Sequence, residues 1–192
     1  MLKYLPMTPY PEEADDGPDR IQAAWRRELP GVPAGSIGVI TRIWRVGQLL
    51  ADDRRRTLER LGIDNPTLDL LSTLRRSGPP YRLTPGQIAA RSFVTAGAVS
   101  QRIARAEAAG LVRRERSAAD GRSAVVVLTD EGRALNERVV AALLEHEETL
   151  LDGLDDAQRA ALAELLKTLL GDLTRRFGAE DRPPREGGDQ LP

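Results

Sequence analysis

The chain has 192 residues, with 28 Lys and Arg against 29 Asp and Glu, and a formal net charge of −1. That length suits one well-buried domain, or a small domain with added dimerisation helices. Cysteine is absent, which excludes disulfides, thiolate redox sensing and Cys-ligated zinc.

Hydrophobic residues make up 41% of the chain, yet there are only two Trp, three Tyr and two Phe, so the core must be built from Leu, Val, Ile and Ala. No apolar run reaches the about 18 residues of a membrane span. The opening MLKYLPMTPYPEE lacks the apolar stretch of a signal peptide, so a cytoplasmic protein with no membrane partner is expected.

Residues 1–17 are rich in Pro and acids and are expected to be mobile. Asp19 can cap a short helix over Arg20–Glu28 with Ile21, Ala24 and Trp25 on one face; Pro30, Gly31 and Pro33 end it. Ser36 opens a long helix to about Leu61, with Ile40, Ile43, Trp44, Gly47, Leu50 and Leu58 near helical spacing. Asn65 and Pro66 read as N-cap and first helical residue of a helix running to Arg76. Ser77, Gly78, Pro79 and Pro80 stop it.

Thr84, Pro85 and Gln87 form a capping box for a short helix, Pro85 to Arg91. Thr95 caps the next, Ala96 to Ala109, with Gly110 as the left-handed stop and Val99, Ile103 and Ala106 facing inward. Leu111–Arg116 and Ala124–Leu128 read as a strand pair with Asp120, Gly121 and Arg122 at the turn. Thr129 caps a long helix whose first turn holds Asp130 and Glu131. Asp155 and Gln158 box another, with an apolar stripe of Leu162, Leu165, Leu166, Leu169 and Leu173. Residues 178–192 have the composition of a disordered tail.

Two short helices, a basic hairpin and a further helix are what a winged helix-turn-helix needs. The fold class is therefore mostly α with a small β-hairpin wing. Charge agrees: from Arg75 to Arg122 ten arginines face only Glu107, Glu115 and Asp120, whereas residues 129–176 hold eleven acids and six bases. A basic patch in an otherwise acidic chain fits a phosphate-binding face.

The expected DNA face is Thr95, Ala96, Gly97, Ala98, Ser100 and Gln101 at the start of the second helix, joined by Arg105, Arg116 and Arg122. Gly97 and Ala98 let the helix sink into a major groove, Ser100 and Gln101 can bond base edges, and Arg105 can reach a phosphate or base. Arg122 can enter the minor groove where its negative potential is deepest, while Asp120 holds the turn. Double-stranded DNA is the partner this implies.

Catalysis has no support: no GxSxG elbow, P-loop, paired His or Cys nucleophile occurs, and the single His146 lies in an acidic helical run. No catalytic residue, metal site or cofactor is expected. An architectural DNA-binding or protein-interaction module without sequence preference stays open; a true regulator would prefer its specific site by about a thousandfold or more.

Through LTPGQIA, VSQRIARAEAAGLVRRE, the ADGR wing tip and VVLTDEGRAL, the region resembles the MarR family of winged-helix regulators. The likeness covers roughly Ile37 to Leu173. The chain departs from the pattern at Ala106, where the family carries Leu, and at Ala104, where it usually carries an acid, which implies looser packing behind the recognition helix. Its wing also reads ADGR in place of the commoner form with two Arg, leaving Arg122 as the main minor-groove candidate. The family implies a homodimer with interlocking N- and C-terminal helices, and two half-sites about one helical turn apart in a pseudo-palindromic operator. The domains are then 1–17, a mobile segment; 18–62, N-terminal dimerisation helices with a possible ligand site; 63–128, the DNA-binding domain; 129–177, C-terminal dimerisation helices; and 178–192, the tail.

The run IQAAWRRELPGVPAGSIGVITRIWRV resembles the extra first helix of the family's urate-responsive, PecS-type branch. That resemblance implies a repressor released by a small aromatic anion such as urate or xanthine, bound by Trp25, Asp69, Arg102 and Arg114. The chemistry suits a planar anion: Trp25 can stack on its ring and the two arginines can bind its oxygens. The alternative is a regulator with a different ligand or none, in which Asp69 and Arg102 form a structural salt bridge.

Overall fold

The computed structural model describes residues 16–92, 94–116 and 124–177. The chain divides into two compact units, Met1–Arg54 and Arg55–Pro192. Seven helices and three strands occur among the described residues: α1 (Gly17–Glu28), α2 (Gly35–Arg60), α3 (Asn65–Arg76), β1 (Arg82–Leu83), α4 (Pro85–Ser92), α5 (Ala96–Ala108), β2 (Val112–Arg116), β3 (Ala124–Leu128), α6 (Asp130–Thr149) and α7 (Asp156–Phe177). Residues 1–15 and the tail 178–192, both expected to be mobile, lie outside the described residues.

In the first unit, α1 begins earlier than its sequence predicts. Asp16, not Asp19, is the N-cap: its backbone is extended and its Oδ1 accepts the Asp19 N–H at 3.1 Å. Pro18 makes the earlier start possible, because its fixed φ and missing N–H cost nothing in a first helical turn. Asp19 is thereby free for a second job. Arg42 on α2 donates to Asp16 through Nε (3.0 Å) and Nη2 (2.7 Å), and to Asp19 through Nη2 (2.7 Å). Its Nη1 also donates to the Gly38 carbonyl at 2.8 Å, so one guanidinium ties the start of α1 to α2.

Desolvation is the largest single influence on the Asp16 carboxyl and raises its pKa, but the Asp19 backbone N–H and the Arg42 guanidinium together outweigh it and hold the group below the ordinary value. Arg42 is raised, by Asp19 first and Asp16 second. Apolar side chains of this unit stay largely open, among them Ile21, Trp25, Trp44 and Leu49.

The second unit holds the main core. Leu68, Leu70, Leu71 and Leu74 of α3 are buried together with Ile88 of α4, Val99, Ile103 and Ala106 of α5, and Val139 and Leu143 of α6. Helix α3 touches α4, α5, α6 and β3, and is the element around which the others pack. Its cap is Asp64 rather than Asn65: Asp64 has the extended backbone of a cap and its Oδ1 accepts the Thr67 N–H at 2.7 Å. Two adjacent cap-forming residues preceded the same proline, and only the geometry separates them.

The three strands form an antiparallel sheet in the order β1-β3-β2. Strand β1 pairs Arg82 with Val127 and Leu83 with Val126, and has no counterpart in the sequence-based expectations. Two residues cannot show an alternation, and they follow a Gly-Pro-Pro run that reads as loop. The wing pair β2–β3 runs from Val112↔Leu128 to Arg116↔Ala124, as the sequence predicts within one residue.

Local caps elsewhere follow expectation. Thr84 and Gln87 exchange both bonds of their box, at 2.9 and 3.2 Å, and Asp155 and Gln158 do so at 2.9 and 2.8 Å. After α5, Gly110 takes φ +72°, while Gly110 N–H bonds Glu107 O and Leu111 N–H bonds Ala106 O, the paired bonds of a Schellman stop. Arg159 closes the α6–α7 turn, donating to the carbonyls of Leu154 and Leu151 and to Glu148. Helix α7 buries none of its residues; Leu165 and Leu170 are 70% and 67% exposed. Among the described residues no helix is long and apolar enough to cross a membrane.

Gly132, in the first turn of α6, marks the closest approach in this unit. A Cβ there would lie 2.0 Å from the Leu111 carbonyl oxygen and 2.9 Å from Leu128 Cδ1. Neither Leu111 backbone nor the buried Leu128 can give way cheaply, so Gly132→Ala should cost roughly 2–4 kcal/mol of stability. A urea midpoint equal to wild type would show that the turn yields. The Asp16–Arg42 cluster predicts a second behaviour. A folded carboxyl held below its unfolded pKa stabilises fully above the unfolded value, and that contribution is lost as pH falls through the folded value. Amide protection factors in α1 should therefore drop on acidification from about pH 5 to about pH 3. In Arg42→Ala they should be low already at neutral pH and change less with acid.

Candidate nucleic-acid interface

Helix α5 has two chemically distinct faces. Val99, Ile103 and Ala106 are each 1% exposed and seat it on the core, with Ile88 of α4 buried beside them. Thr95, Ala96, Gly97, Ser100, Gln101 and Arg105 are exposed, and Ala98 is half-buried. Thr95 Oγ1 accepts the Ala98 N–H at 3.3 Å, which caps the helix and fixes its first turn. A Cβ added at Gly97 would meet nothing within 4 Å, so no internal packing demands glycine there. The bare backbone matters only to something approaching from outside. Ser100 Oγ donates to the Ala96 carbonyl at 3.0 Å, which spends its proton and leaves its lone pairs outward as an acceptor.

Arg102 departs from the other basic residues of the segment. Positions 99, 102, 103 and 106 share one helical face, and Arg102 is buried there with its side chain only 9% exposed. Its Nη1 donates to Asp69 Oδ2 of α3 at 2.8 Å. The sequence-predicted pair Asp69–Arg102 is thus brought together directly.

Arg114 of β2 is turned to a different partner. Its backbone N–H donates to Glu107 Oε1 and its Nε lies 3.2 Å from Glu107 Oε2, tying the wing strand to the last turn of α5. Glu107 escaped the sequence reading, although a signal existed. An acid in the last turn of a helix opposes the macrodipole, so it is better explained by a partner than by propensity. Trp25 lies in the first unit and is about half exposed.

The remaining basic residues are placed along the hairpin and beside α3. Arg116 is exposed at the outer end of β2, opposite Ala124. Asp120, Gly121 and Arg122 fall in 117–123, outside the described residues. Arg113 pairs with Glu115 on its own strand at 2.8 Å. Arg105 Nη1 stands 3.7 Å from Asp64 Oδ2. Desolvation raises the Asp64 carboxyl, but the Thr67 hydrogen bonds, then Arg105 and Arg102, bring it below the ordinary carboxylate value. Among the described residues no buried side-chain nitrogen or oxygen lacks a partner, and no cluster of His, Asp or Glu could hold a metal ion.

Comparison with known proteins agrees with this geometry. The MarR family description matches residues 61–123. The HTH-type transcriptional regulator PecS of Dickeya dadantii (strain 3937) is 33% identical over 142 residues, covering 74% of this chain and 86% of PecS. The crystal structure of Sco3205, a MarR family transcriptional regulator from Streptomyces coelicolor in complex with DNA, superposes with a TM-score of 0.60 at 29% identity, over 74% of this chain and 94% of that one. BpsR of Bordetella bronchiseptica, whose DNA binding is regulated by 6-hydroxynicotinic acid, gives a TM-score of 0.59 at 25% identity, over 70% of this chain and 94% of BpsR. A helix-turn-helix with one face packed and one face bare, a paired wing strand and a relative of this extent mean that the chain belongs to the MarR family of winged-helix, DNA-binding transcriptional regulators.

Proposed function

We propose that the chain acts as a homodimeric repressor that reads a pseudo-palindromic operator and releases it on binding a small planar aromatic anion. The observation that carries this reading is the split of α5 into an open face and a sealed one. Thr95, Ala96, Gly97, Ala98, Ser100 and Gln101 would enter the major groove, with Arg105 and Arg116 on the flanking backbone and Arg122 in the minor groove. Dimerisation is supported by the apolar side chains left open on α7, such as Leu165, Leu170 and Phe177, which a monomer would expose to water at a cost.

The ligand reading rests on Asp69 and Arg102, which meet directly, and takes Trp25 and Arg114 from the family resemblance alone. An anion such as urate or xanthine could take Arg102 from Asp69 in a site shielded from water, where charge-assisted bonds are strongest. BpsR supports the chemical class, since its regulator is likewise a small aromatic acid. For release to follow, the anion must bind the DNA-incompetent state more tightly than the competent one. A second reading is favoured by the same contact: at 2.8 Å, with Arg102 almost wholly buried, the pair also makes a sound structural salt bridge.

Titration of the specific complex with urate and xanthine in gel-shift assays separates the two. Loss of the complex at millimolar ligand is expected, and an unchanged complex would sink the ligand half. Arg102→Lys and Arg114→Lys should blunt the ligand response more than the DNA affinity. On the DNA side, Gln101→Ala should change the bases recovered from a random pool with little effect on non-specific affinity. Arg122→Ala should lower the salt slope by about one unit; an unchanged slope would remove it from the interface.

A further inference from the structure

Asp64 stands just before α3 and uses its two oxygens for different tasks. Oδ1 accepts the Thr67 N–H at 2.7 Å and caps the helix. Oδ2 faces Arg105 Nη1 at 3.7 Å, across from the outward side of α5. Both side chains are more than half exposed, 52% for Asp64 and 59% for Arg105, so water and salt compete with the pair. Three residues earlier on α5, Arg102 meets Asp69 in a pair that is almost closed to water on the arginine side. Two carboxylates of the α3 region therefore hold two arginines of α5, Arg102 buried and Arg105 exchangeable, and Asp64 feels the charge of both.

An exchangeable guanidinium on the recognition helix has two bidders. A DNA phosphate attracts Arg105 as Asp64 does, with the same charge and similar geometry. Whatever free energy holds Arg105 to Asp64 must be given up before a phosphate can take it, and an arginine kept by its carboxylate releases no counterion from DNA. We propose that Asp64 is an internal competitor for Arg105, an affinity-setting residue that lowers binding to the DNA backbone whatever its sequence. This rests on the reading of α5 as the recognition helix.

The cap and the competition can be separated by substitution, because Asn and Ser cap helices about as well as Asp while carrying no charge. Asp64→Asn should therefore fold, with only the small drop in melting temperature that loss of an exposed ion pair brings. Its affinity for a random-sequence DNA duplex should rise about two- to five-fold, the scale of an exposed ion pair. The plot of log affinity against log salt should steepen by up to about one unit, the signature of one more phosphate neutralised. Asp64→Ser should give the same gain. The double variant D64N/R105Q should lose it. No gain in either single variant overturns the proposal. A gain that persists in D64N/R105Q also overturns it, since the removed charge would then act on DNA through the general field and not through Arg105. Gln101→Ala tells this failure from failure of the underlying reading: a shifted base preference without a D64N gain sinks the competitor alone, whereas an unshifted preference removes the recognition face as well.

Discussion

A guanidinium cannot lose nine-tenths of its exposure unless a partner replaces the water it gives up. Asp69 does this for Arg102, and the position of α5 depends on it. The inward face of α5 offers only Val99, Ile103 and Ala106 to the core, three side chains of modest size. The fourth inward position is charged, so α5 is seated on α3 partly by apolar packing and partly by the hydrogen-bonded ion pair of Arg102 with Asp69. Non-directional packing alone would tolerate a small rotation or slide of a 13-residue helix. A charge-assisted bond at 2.8 Å fixes one point of it in distance and angle. Removing either partner leaves a charge stranded at the interface, which in buried pairs costs about 3–5 kcal/mol. The loss is smaller where, as for Asp69, a third of the carboxylate side chain still reaches water.

The same constraint changes how the basic segment should be counted. Ten arginines from Arg75 to Arg122 suggest a strongly phosphate-binding surface. The structure pairs several of them with its own carboxylates, one buried and three exposed: Arg102 with Asp69, Arg105 with Asp64, Arg113 with Glu115 and Arg114 with Glu107. Arg75 lies over the Tyr81 ring and donates to its hydroxyl, which fixes the approach to β1. The formal charge is thus an upper bound on the phosphates that can be neutralised, because each paired arginine must first leave a carboxylate. Several of these basic residues thus also tie α5 and β2 to neighbouring carboxylates.

What could be read from the chain alone divides by the range of the interaction. Thr84 with Gln87, Thr95, Thr129, and Asp155 with Gln158 were legible because a cap and the N–H it binds lie three residues apart. The inward face of α5 was legible from the 3.6-residue period. Where two candidates competed within that range the outcome turned on backbone geometry, as at Asp16 against Asp19 and Asp64 against Asn65. Strand β1 was illegible because it exists only by pairing with β3, far along the chain. For the same reason Glu107 was missed as the partner of Arg114: the two meet only after the Gly110 turn has brought β2 back along α5. The pairing of Asp69 with Arg102 is equally long in range, and only the resemblance to a family made it readable.

Adjacency along α5 gives the sealed pair a route to the open face. Gln101 and Arg102 are consecutive, so they point about 100° apart from one rigid backbone. Any displacement that lets Arg102 follow a new partner is carried by the helix to Gln101 and Ser100, not absorbed between them. Base-edge hydrogen bonds tolerate little of this, since their donor–acceptor distances span only a few tenths of an ångström and weaken steeply off line. An effector at Arg102 would not need to reach the DNA or block it. It would need only to prefer a seat for α5 slightly different from the one Asp69 imposes, and the free energy of that preference sets the most by which DNA affinity can change.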